Sequence, residues 1–213
     1  MIKFDIVQNS PNNTNSVVLD DGENCIIFDA WGNINGWIEY LDKRKLNLLS
    51  IYSTHGHPDH INCAPFLSEK FNIPWFLNYS DLDLILWGRD ILDYFGLERI
   101  KEDYKKPLNI DFDKKEIFGL SMDIIKTPGH TNGSVCFYLK DLKLLIVGDL
   151  IFKEGYGRYD LPSGDKNILK ESIKKLYEMN FDDNTFVVPG HGETTSIKQL
   201  KEENIFFTTQ RLI

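Results

Sequence analysis

The sequence predicts an α/β (α+β) fold in which helices pack outside two β-sheets. Short apolar runs alternate with polar turns along the chain, and helical segments lie between these runs. A length of 213 residues is enough for one full-sized hydrophobic core and short for two. Because no linker or low-complexity tract divides the chain, we expect a single domain over residues 1–213.

Apolar and β-branched runs bounded by polar turns predict the strands. These runs are Ile2–Val7, Ser16–Leu19, Cys25–Asp29, Leu46–Ser53, Pro74–Leu77, Ser121–Lys126, Val135–Leu139, Lys143–Val147 and Thr185–Val188. The segment Lys140–Leu142, with Asp141 at its centre, predicts a hairpin turn.

Apolar residues at helical spacing predict helices between the strands. These helices are Gly36–Lys43, Ile61–Phe71, Asp81–Phe95 and Lys166–Met179. Gly96 and Pro107 close off the third segment. The aromatic residues in and before that segment are interpreted as core packing, with the wall of a substrate groove as the alternative; they are Trp75, Trp87, Tyr94 and Phe95.

Composition argues against several classes of function. The formal net charge is -8, whereas recognition of nucleic-acid phosphates needs a basic face. Met1–Thr14 has no apolar leader core. The most apolar stretch, Leu142–Phe152, contains Lys143 and Asp149 and is too short to span a bilayer. We therefore expect a cytoplasmic protein that contacts neither nucleic acid nor membrane.

The three cysteines, Cys25, Cys63 and Cys136, show no CxxC spacing. We interpret them as reduced, buried thiols rather than disulfides or zinc ligands. Cys63 and Cys136 are expected to be core residues without a catalytic role.

Four predicted strands run into polar loops that carry metal-ligating residue types. The loops are Thr54–His60, Thr127–His130, Gly148–Asp149 and Pro189–Gly192. Proline and glycine end a strand sharply and let the backbone turn close to a bound group. Because rigid strands hold geometry while loops display chemistry, we expect these loops to form one site.

All five histidines of the chain lie in these loops. Imidazole is the commonest nitrogen ligand for metals such as zinc, and carboxylates supply the remaining charge. His55 and His57, two residues apart in an extended segment, point the same way and can share one metal. Asp59 and His60 follow a turn and can face a second metal. Two neighbouring cations need a shared anionic ligand, for which Asp149 is the natural candidate.

The same loops are similar to the signature of the metallo-β-lactamase superfamily, and the similarity covers nearly the whole chain. The resemblance implies a four-layer αββα sandwich with the site at one edge of the paired sheets. It also implies two divalent ions, expected to be zinc, with iron or manganese as alternatives. In this resemblance one ion is held by His55, His57 and His130, a second by Asp59, His60 and His191, and Asp149 bridges both.

Such a centre predicts hydrolysis by a bridging hydroxide. Zinc alone lowers the pKa of a bound water to about 7. The hydroxide attacks a carbonyl that one metal polarises, and the metals stabilise the oxyanion that forms. Asp59 is the predicted catalytic residue, which binds metal and orients or accepts a proton.

The loop after Asp149 resembles that of glyoxalase II and its relatives, the hydroxyacylglutathione hydrolases. The pattern GRxDxPxGD over Gly157–Asp165 is similar to their short, glyoxalase II-like members. Arg158 aligns with a basic residue that contacts glutathione in that family, so it is the predicted substrate-binding residue, with an exposed Arg–Asp ion pair as the alternative. We expect a thioesterase whose partner is a small-molecule thioester.

Three rival functions stay open. A persulfide dioxygenase with one iron ion shares the scaffold and much of this loop, although the Pro-Gly-His-Gly stretch favours a hydrolase. A hydrolase of another small ester or lactone would use the same centre. A non-catalytic metal-binding domain is disfavoured by the complete ligand set, and a β-lactamase is disfavoured by Asp149.

Overall fold

A computed structural model describes residues 1–8 and 12–209. The chain divides into two compact units, Met1–Ile110 and Asp111–Ile213. Each unit contains one six-stranded mixed sheet with helices, as the α/β prediction requires. The single domain over residues 1–213 stays a prediction.

The sheet of the first unit follows chain order. Its strands are β1 (Lys3–Val7), β2 (Ser16–Asp20), β3 (Asn24–Phe28), β4 (Asn47–Tyr52), β5 (Trp75–Leu77) and β6 (Leu108–Asn109). Strands β1 to β3 pair antiparallel, whereas β3 to β6 pair parallel. Because parallel strands run in one direction, the loops after β3, β4 and β5 leave the same edge of this sheet.

Helices supply the crossovers that parallel pairing needs. They are α1 (Ile34–Arg44), α2 (Pro58–Ile61), α3 (Ala64–Lys70), α4 (Leu84–Trp87) and α5 (Asp90–Tyr94). The Asn33 side chain caps α1 by accepting from the N–H groups of Asn35 and Gly36. Trp31, Trp37 and Trp75 are buried in the core of this unit.

The predicted helix Ile61–Phe71 is wrong as one continuous element, because the chain forms α2 and α3 there. Pro65 lies in the first turn of α3, where its missing N–H is tolerated. Asp59 and His60 belong to α2, so the chain is already helical at two of the predicted ligands.

The predicted helix Asp81–Phe95 is also interrupted. A turn of 3₁₀ helix at Tyr79–Asp81 precedes α4 and α5, and Gly88 separates these two helices. A Cβ atom on Gly88 would lie 2.4 Å from Pro58 Cγ. The segment that contains Pro58 is distant in sequence and passes close to Gly88, so a larger residue would not fit between α4 and α5. Helical periodicity does not reveal such a contact.

The sheet of the second unit has the order β12-β11-β10-β9-β8-β7. Its elements are β7 (Lys114–Ile117), β8 (Leu120–Lys126), β9 (Val135–Leu139), β10 (Leu144–Gly148), α6 (Lys166–Glu178), β11 (Phe186–Pro189), β12 (Thr195–Ser196), α7 (Ile197–Glu203) and α8 (Ile205–Thr209). Strands β9 and β10 pair antiparallel around Lys140–Leu142, which confirms the predicted hairpin. The crossover between parallel strands β10 and β11 contains α6, whose N-terminus is capped by Asp165.

All three cysteines are free and buried, as predicted. Burial raises the pKa of the Cys25 and Cys136 thiols to about 12 and raises that of Cys63 as well. Thiols held protonated in this way are poor nucleophiles and poor ligands. In the two described stretches of chain, no helix combines the length and apolar character needed to cross a membrane.

Candidate metal centre

In the first unit, the loop after β4 brings two imidazole nitrogens together. His55 Nε2 lies 3.1 Å from His57 Nδ1, and both side chains are buried. The two rings meet edge to face, with centroids 4.8 Å apart. Tetrahedral zinc with bonds of about 2.0–2.1 Å to nitrogen places two such ligands about 3.3 Å apart. The spacing therefore suits two ligands of one ion, and the role of this pair as metal ligands stays a prediction.

Asp29, directly after β3, organises this loop through its buried carboxylate. Its Oδ1 accepts from the Thr54 N–H at 2.7 Å, and its Oδ2 accepts from the Thr54 hydroxyl at 2.8 Å. The Thr54 hydroxyl in turn lies 3.0 Å from His55 Nδ1. The Thr54 side chain thus fixes the ring of His55 and leaves its Nε2 for a ligand.

The same carboxylate orients His60, whose Nδ1 lies 2.9 Å from Asp29 Oδ2. A carboxylate that holds one ring nitrogen fixes the tautomer and leaves Nε2 for a metal. Sequence reasoning missed Asp29. Its only local signal is an aspartate directly after an apolar strand, in a left-handed conformation with φ of 53°.

Asp59 is half-buried in the first turn of α2. Its Oδ2 accepts a hydrogen bond of 3.1 Å from the Asn12 side-chain amide. Ligand atoms of Asp59 and His60 lie within 4.8 Å of each other, as do those of His55 and His60. All four predicted ligands of this unit therefore form one cluster.

Asp81 is a second buried carboxylate that sequence reasoning missed. Its Oδ2 accepts from the Gly56 N–H at 2.9 Å, so it holds the backbone between His55 and His57. A Cβ on Gly56 would lie 2.7 Å from Asp81 Cβ, so the close approach requires glycine here.

In the second unit, His130 is held by the backbone. Its Nδ1 lies 2.6 Å from the carbonyl oxygen of Arg158. Because a carbonyl can only accept, Nδ1 carries the proton and Nε2 is left as the ligand atom. Gly129 precedes it with φ of 127°, and a Cβ there would lie 2.2 Å from the Leu169 N atom.

Asp149 lies between two histidines of its own unit. Its Oδ2 is 3.5 Å from His130 Nε2 and 3.5 Å from His191 Nε2. One carboxylate oxygen at equal distance from two imidazole nitrogens fits an anion shared by two ligand groups. The Asp149 backbone is crowded by Gly157, where a Cβ would lie 1.7 Å from the Asp149 carbonyl oxygen.

His191 follows β11 and is the most exposed of the five histidines, with 27% of its side chain accessible. The Gly190 N–H donates to the Gly148 carbonyl at 2.8 Å, which fixes this loop beside that of Asp149. A cavity of about 350 Å³ opens at His191, lined by Phe152, Lys153, Glu154, His191, Gly192 and Glu193.

The Arg158 side chain is exposed and forms two hydrogen bonds of 2.8 Å with the Asp160 carboxylate. This pairing raises the pKa of Arg158 and lowers that of Asp160 to about 2. The ion pair named as the alternative for Arg158 is therefore present, and the role in substrate binding stays a prediction.

The donor atoms in each unit suit a metal that prefers imidazole and carboxylate ligands. The first unit presents three imidazoles with one carboxylate, and the second presents two imidazoles with one carboxylate. Hydrogen bonds from outer groups fix the Nδ1 atoms of His55, His60 and His130. This combination is typical of zinc sites. Iron also binds imidazole and carboxylate ligands, and manganese prefers sites with more oxygen ligands.

Comparison with known proteins identifies a matching family and a similar relative. The family model described as the metallo-beta-lactamase superfamily matches residues 9–191. The hydroxyacylglutathione hydrolase GloC of Haemophilus influenzae is 33% identical over 200 residues, which cover 92% of this chain and 92% of that protein.

Two solved structures resemble the fold closely. The BLEG-1 B3 metallo-beta-lactamase has a TM-score of 0.85 and 29% identity, covering 97% of this chain and 100% of that one. The di-iron-bound form of TTHA1623 has a TM-score of 0.82 and 29% identity, covering 95% of this chain and 99% of that one. These likenesses confirm the fold class predicted from the sequence.

Proposed function

We propose that this chain, which belongs to the metallo-beta-lactamase superfamily, hydrolyses hydroxyacylglutathione-like thioesters at a two-metal centre. Membership of the superfamily supports a metal-dependent hydrolase, and the substrate class is the proposal. The observation that supports the two-metal centre is the position of Asp149 Oδ2, at 3.5 Å from the Nε2 atoms of both His130 and His191. An anion shared in this way is what two neighbouring cations require.

We assign the ligands to the two ions by the family pattern. One ion would be held by His55, His57 and His130, and the other by Asp59, His60 and His191, with Asp149 between them. The 3.1 Å spacing of the His55 and His57 nitrogens supports the first set. The proximity of the Asp59 and His60 ligand atoms supports the second. We propose zinc, with iron the strongest alternative because TTHA1623 has a di-iron form.

When bound, the two ions would supply Lewis-acid activation of water and of the substrate carbonyl. The chain's own contribution is to position the groups around them. Asp59, oriented by the Asn12 amide, is the group we expect to orient the attacking water and take its proton. In the net reaction, water oxygen bonds to the acyl carbon, the C–S bond breaks, and a carboxylic acid and a thiol leave.

GloC supports glutathione as the thiol carrier, since its name is that of a hydroxyacylglutathione hydrolase. Arg158 is the proposed contact for a carboxylate of the carrier, for which it would exchange its surface pairing with Asp160. The buried free thiols agree with a reducing compartment, so we propose that the enzyme acts in the cytoplasm.

A substrate screen on the full chain at measured metal content tests this function. The panel contains S-lactoylglutathione, other thioesters, a lactone and a cephalosporin, and an oxygen electrode follows the reaction with glutathione persulfide. We expect thiol release from S-lactoylglutathione with two metal ions per chain. Oxygen uptake with one iron ion would establish the dioxygenase instead, and the absence of thioester turnover at any metal loading would overturn the proposal.

A further inference from the structure

The segment that follows β5 packs against the metal loop of the first unit at two points. At the first point, a Cβ on Gly56 would lie 2.7 Å from Asp81 Cβ and 3.3 Å from Leu84 Cβ. At the second, a Cβ on Gly88 would lie 2.4 Å from Pro58 Cγ. Both contacts are too close for a larger residue, so α4 is fixed in place relative to His55 and His57.

Trp87 lies between these two contacts and is left partly in solvent. Helix α4 buries Leu84 and Ile85, whereas 48% of Trp87 is exposed. Its ring lies 6.0 Å from that of His57, at an interplanar angle of 44°. The other three tryptophans, Trp31, Trp37 and Trp75, are at most 1% exposed. One indole thus presents apolar surface to solvent directly beside a predicted metal ligand.

A half-exposed indole held rigidly in this position is suited to binding. Tryptophan gives a large contact area at low cost in conformational entropy, and exposed aromatic surface near a site commonly contacts a ligand. The neighbouring α5 also exposes Ile91 by 48% and Tyr94 by 85%, so a broader apolar surface is the competing explanation. Trp87 differs from these two residues in its ring contact with the predicted ligand His57.

We propose that Trp87 is a specificity-determining residue whose indole forms the wall against which the acyl group of the substrate packs. This inference rests on the proposed thioesterase function and deepens it by naming the acyl groups that are preferred within the proposed substrate class. These are extended or aromatic acyl groups, preferred over acetyl.

The first test compares a series of S-acylglutathiones with acetyl, butanoyl and hexanoyl groups, using the zinc-loaded full chain. Burial of a methylene contributes about 0.8 kcal/mol, so kcat/KM should rise by up to roughly fourfold per methylene that contacts the indole. Trp87→Ala should flatten this rise through KM, with unchanged metal content, and Trp87→Phe should restore part of it. Tyr94→Ala, in the same segment, should behave as the wild type.

The second test uses fluorescence and does not depend on turnover. Because the other three tryptophans are buried, iodide should quench mainly Trp87. S-hexylglutathione, a thioether that cannot be hydrolysed, should protect this fluorescence from iodide in the wild type, whereas Trp87→Ala should show little quenching with or without it.

The possible failures can be told apart. Equal dependence on acyl length in the wild type and Trp87→Ala, or quenching that S-hexylglutathione leaves unchanged, would overturn the role of Trp87 while the thioesterase stands. An equal loss in Tyr94→Ala would assign the effect to the broader apolar surface and overturn it as well. A wild type that hydrolyses no thioester would overturn both proposals.

Discussion

The two units hold their ligands in different ways. In the first, His55, His57, Asp59 and His60 share one continuous segment, which runs from the loop after β4 into α2, and the side-chain carboxylates of Asp29 and Asp81 hold that segment. In the second, His130, Asp149 and His191 come from three separate loops, and backbone groups position them. His130 is held by the Arg158 carbonyl. The Asp149 and His191 loops are joined by a hydrogen bond from the Gly190 N–H to the Gly148 carbonyl.

The two kinds of support predict different substitutions that should disrupt the ligands of each unit. A ligand loop braced by buried carboxylates should fail when a carboxylate is changed, because its hydrogen-bond donors lose their acceptor. A set of ligands braced by backbone should instead fail when a glycine gains a side chain, because the backbone can no longer pass so closely. Removal of a ligand itself should outweigh either change.

The largest effect is expected for Asp149→Ala, which removes the proposed shared anion. Activity should be abolished, a loss beyond the roughly 10–100-fold typical of changes outside the ligand set, and metal content should fall toward one ion per chain. Elemental analysis and thiol release measure both. Asp141→Ala, at the exposed hairpin turn, is the matched control. Full turnover with two ions in Asp149→Ala would refute the shared role.

Gly157→Ala tests the backbone of the second unit. The new Cβ would lie 1.7 Å from the Asp149 carbonyl oxygen, so the Asp149 loop must move. We expect kcat/KM to fall on the order of 10²-fold, because a displacement of about 1 Å can cost that much. Gly155→Ala, which has φ of 95° but no atom within 4 Å of the new Cβ, should lose stability and keep activity. Equal activity losses in both variants would count against positional crowding.

Asp29→Asn tests the carboxylate support of the first unit. The change places an amide where two donors, the Thr54 hydroxyl and His60 Nδ1, now share an acceptor. Metal affinity should fall about 10–100-fold, and the free energy of unfolding by about 1–3 kcal/mol. Metal titration and denaturant unfolding provide the readouts. Asp20, the last residue of β2, is also a buried carboxylate, and Asp20→Asn should leave metal affinity unchanged. A loss of metal affinity in Asp20→Asn would show that removing any buried charge lowers it.

Arg158→Gln should have the smallest effect on the centre. His130 uses the backbone carbonyl of residue 158, so metal content should stay unchanged whatever the side chain. If the side chain binds a carrier carboxylate, KM for S-lactoylglutathione should rise about tenfold with kcat preserved. Lys201→Gln, which removes a comparable surface pair with Asp183, is the control. An unchanged KM would leave Arg158 with its surface pairing alone.

Much of the fold follows from local sequence pattern. Each predicted strand is present with ends within one residue of the prediction, because alternation and turn residues are local signals. Sequence reasoning missed β6, β7 and β12, which are short strands. Strand β7 is also mostly charged, and its pairing with β8 is decided by the neighbouring strand rather than by its own residues. The C-terminal helices α7 and α8 were not predicted either.

The residues of the candidate site were likewise predicted only in part from local sequence. The ligand types were visible because they cluster within a few residues or follow proline and glycine. Asp29 and Asp81 were not, because each acts on a loop that is distant in sequence, and a lone aspartate after a strand has no distinguishing pattern. The interpretation as core packing is wrong for Trp87 and Tyr94, which are 48% and 85% exposed, and is confirmed for Trp75, which is buried. Such roles depend on which loops the fold brings together.

We propose that the two ligand sets hold two metal ions. Anomalous diffraction from crystals of the zinc-loaded full chain, recorded at the metal absorption edge, tests it most directly. We expect two peaks about 3.5–4 Å apart. One should contact His55, His57 and His130, the other Asp59, His60 and His191, and Asp149 should contact both. A single peak, or a second peak away from Asp59, His60 and His191, would contradict it.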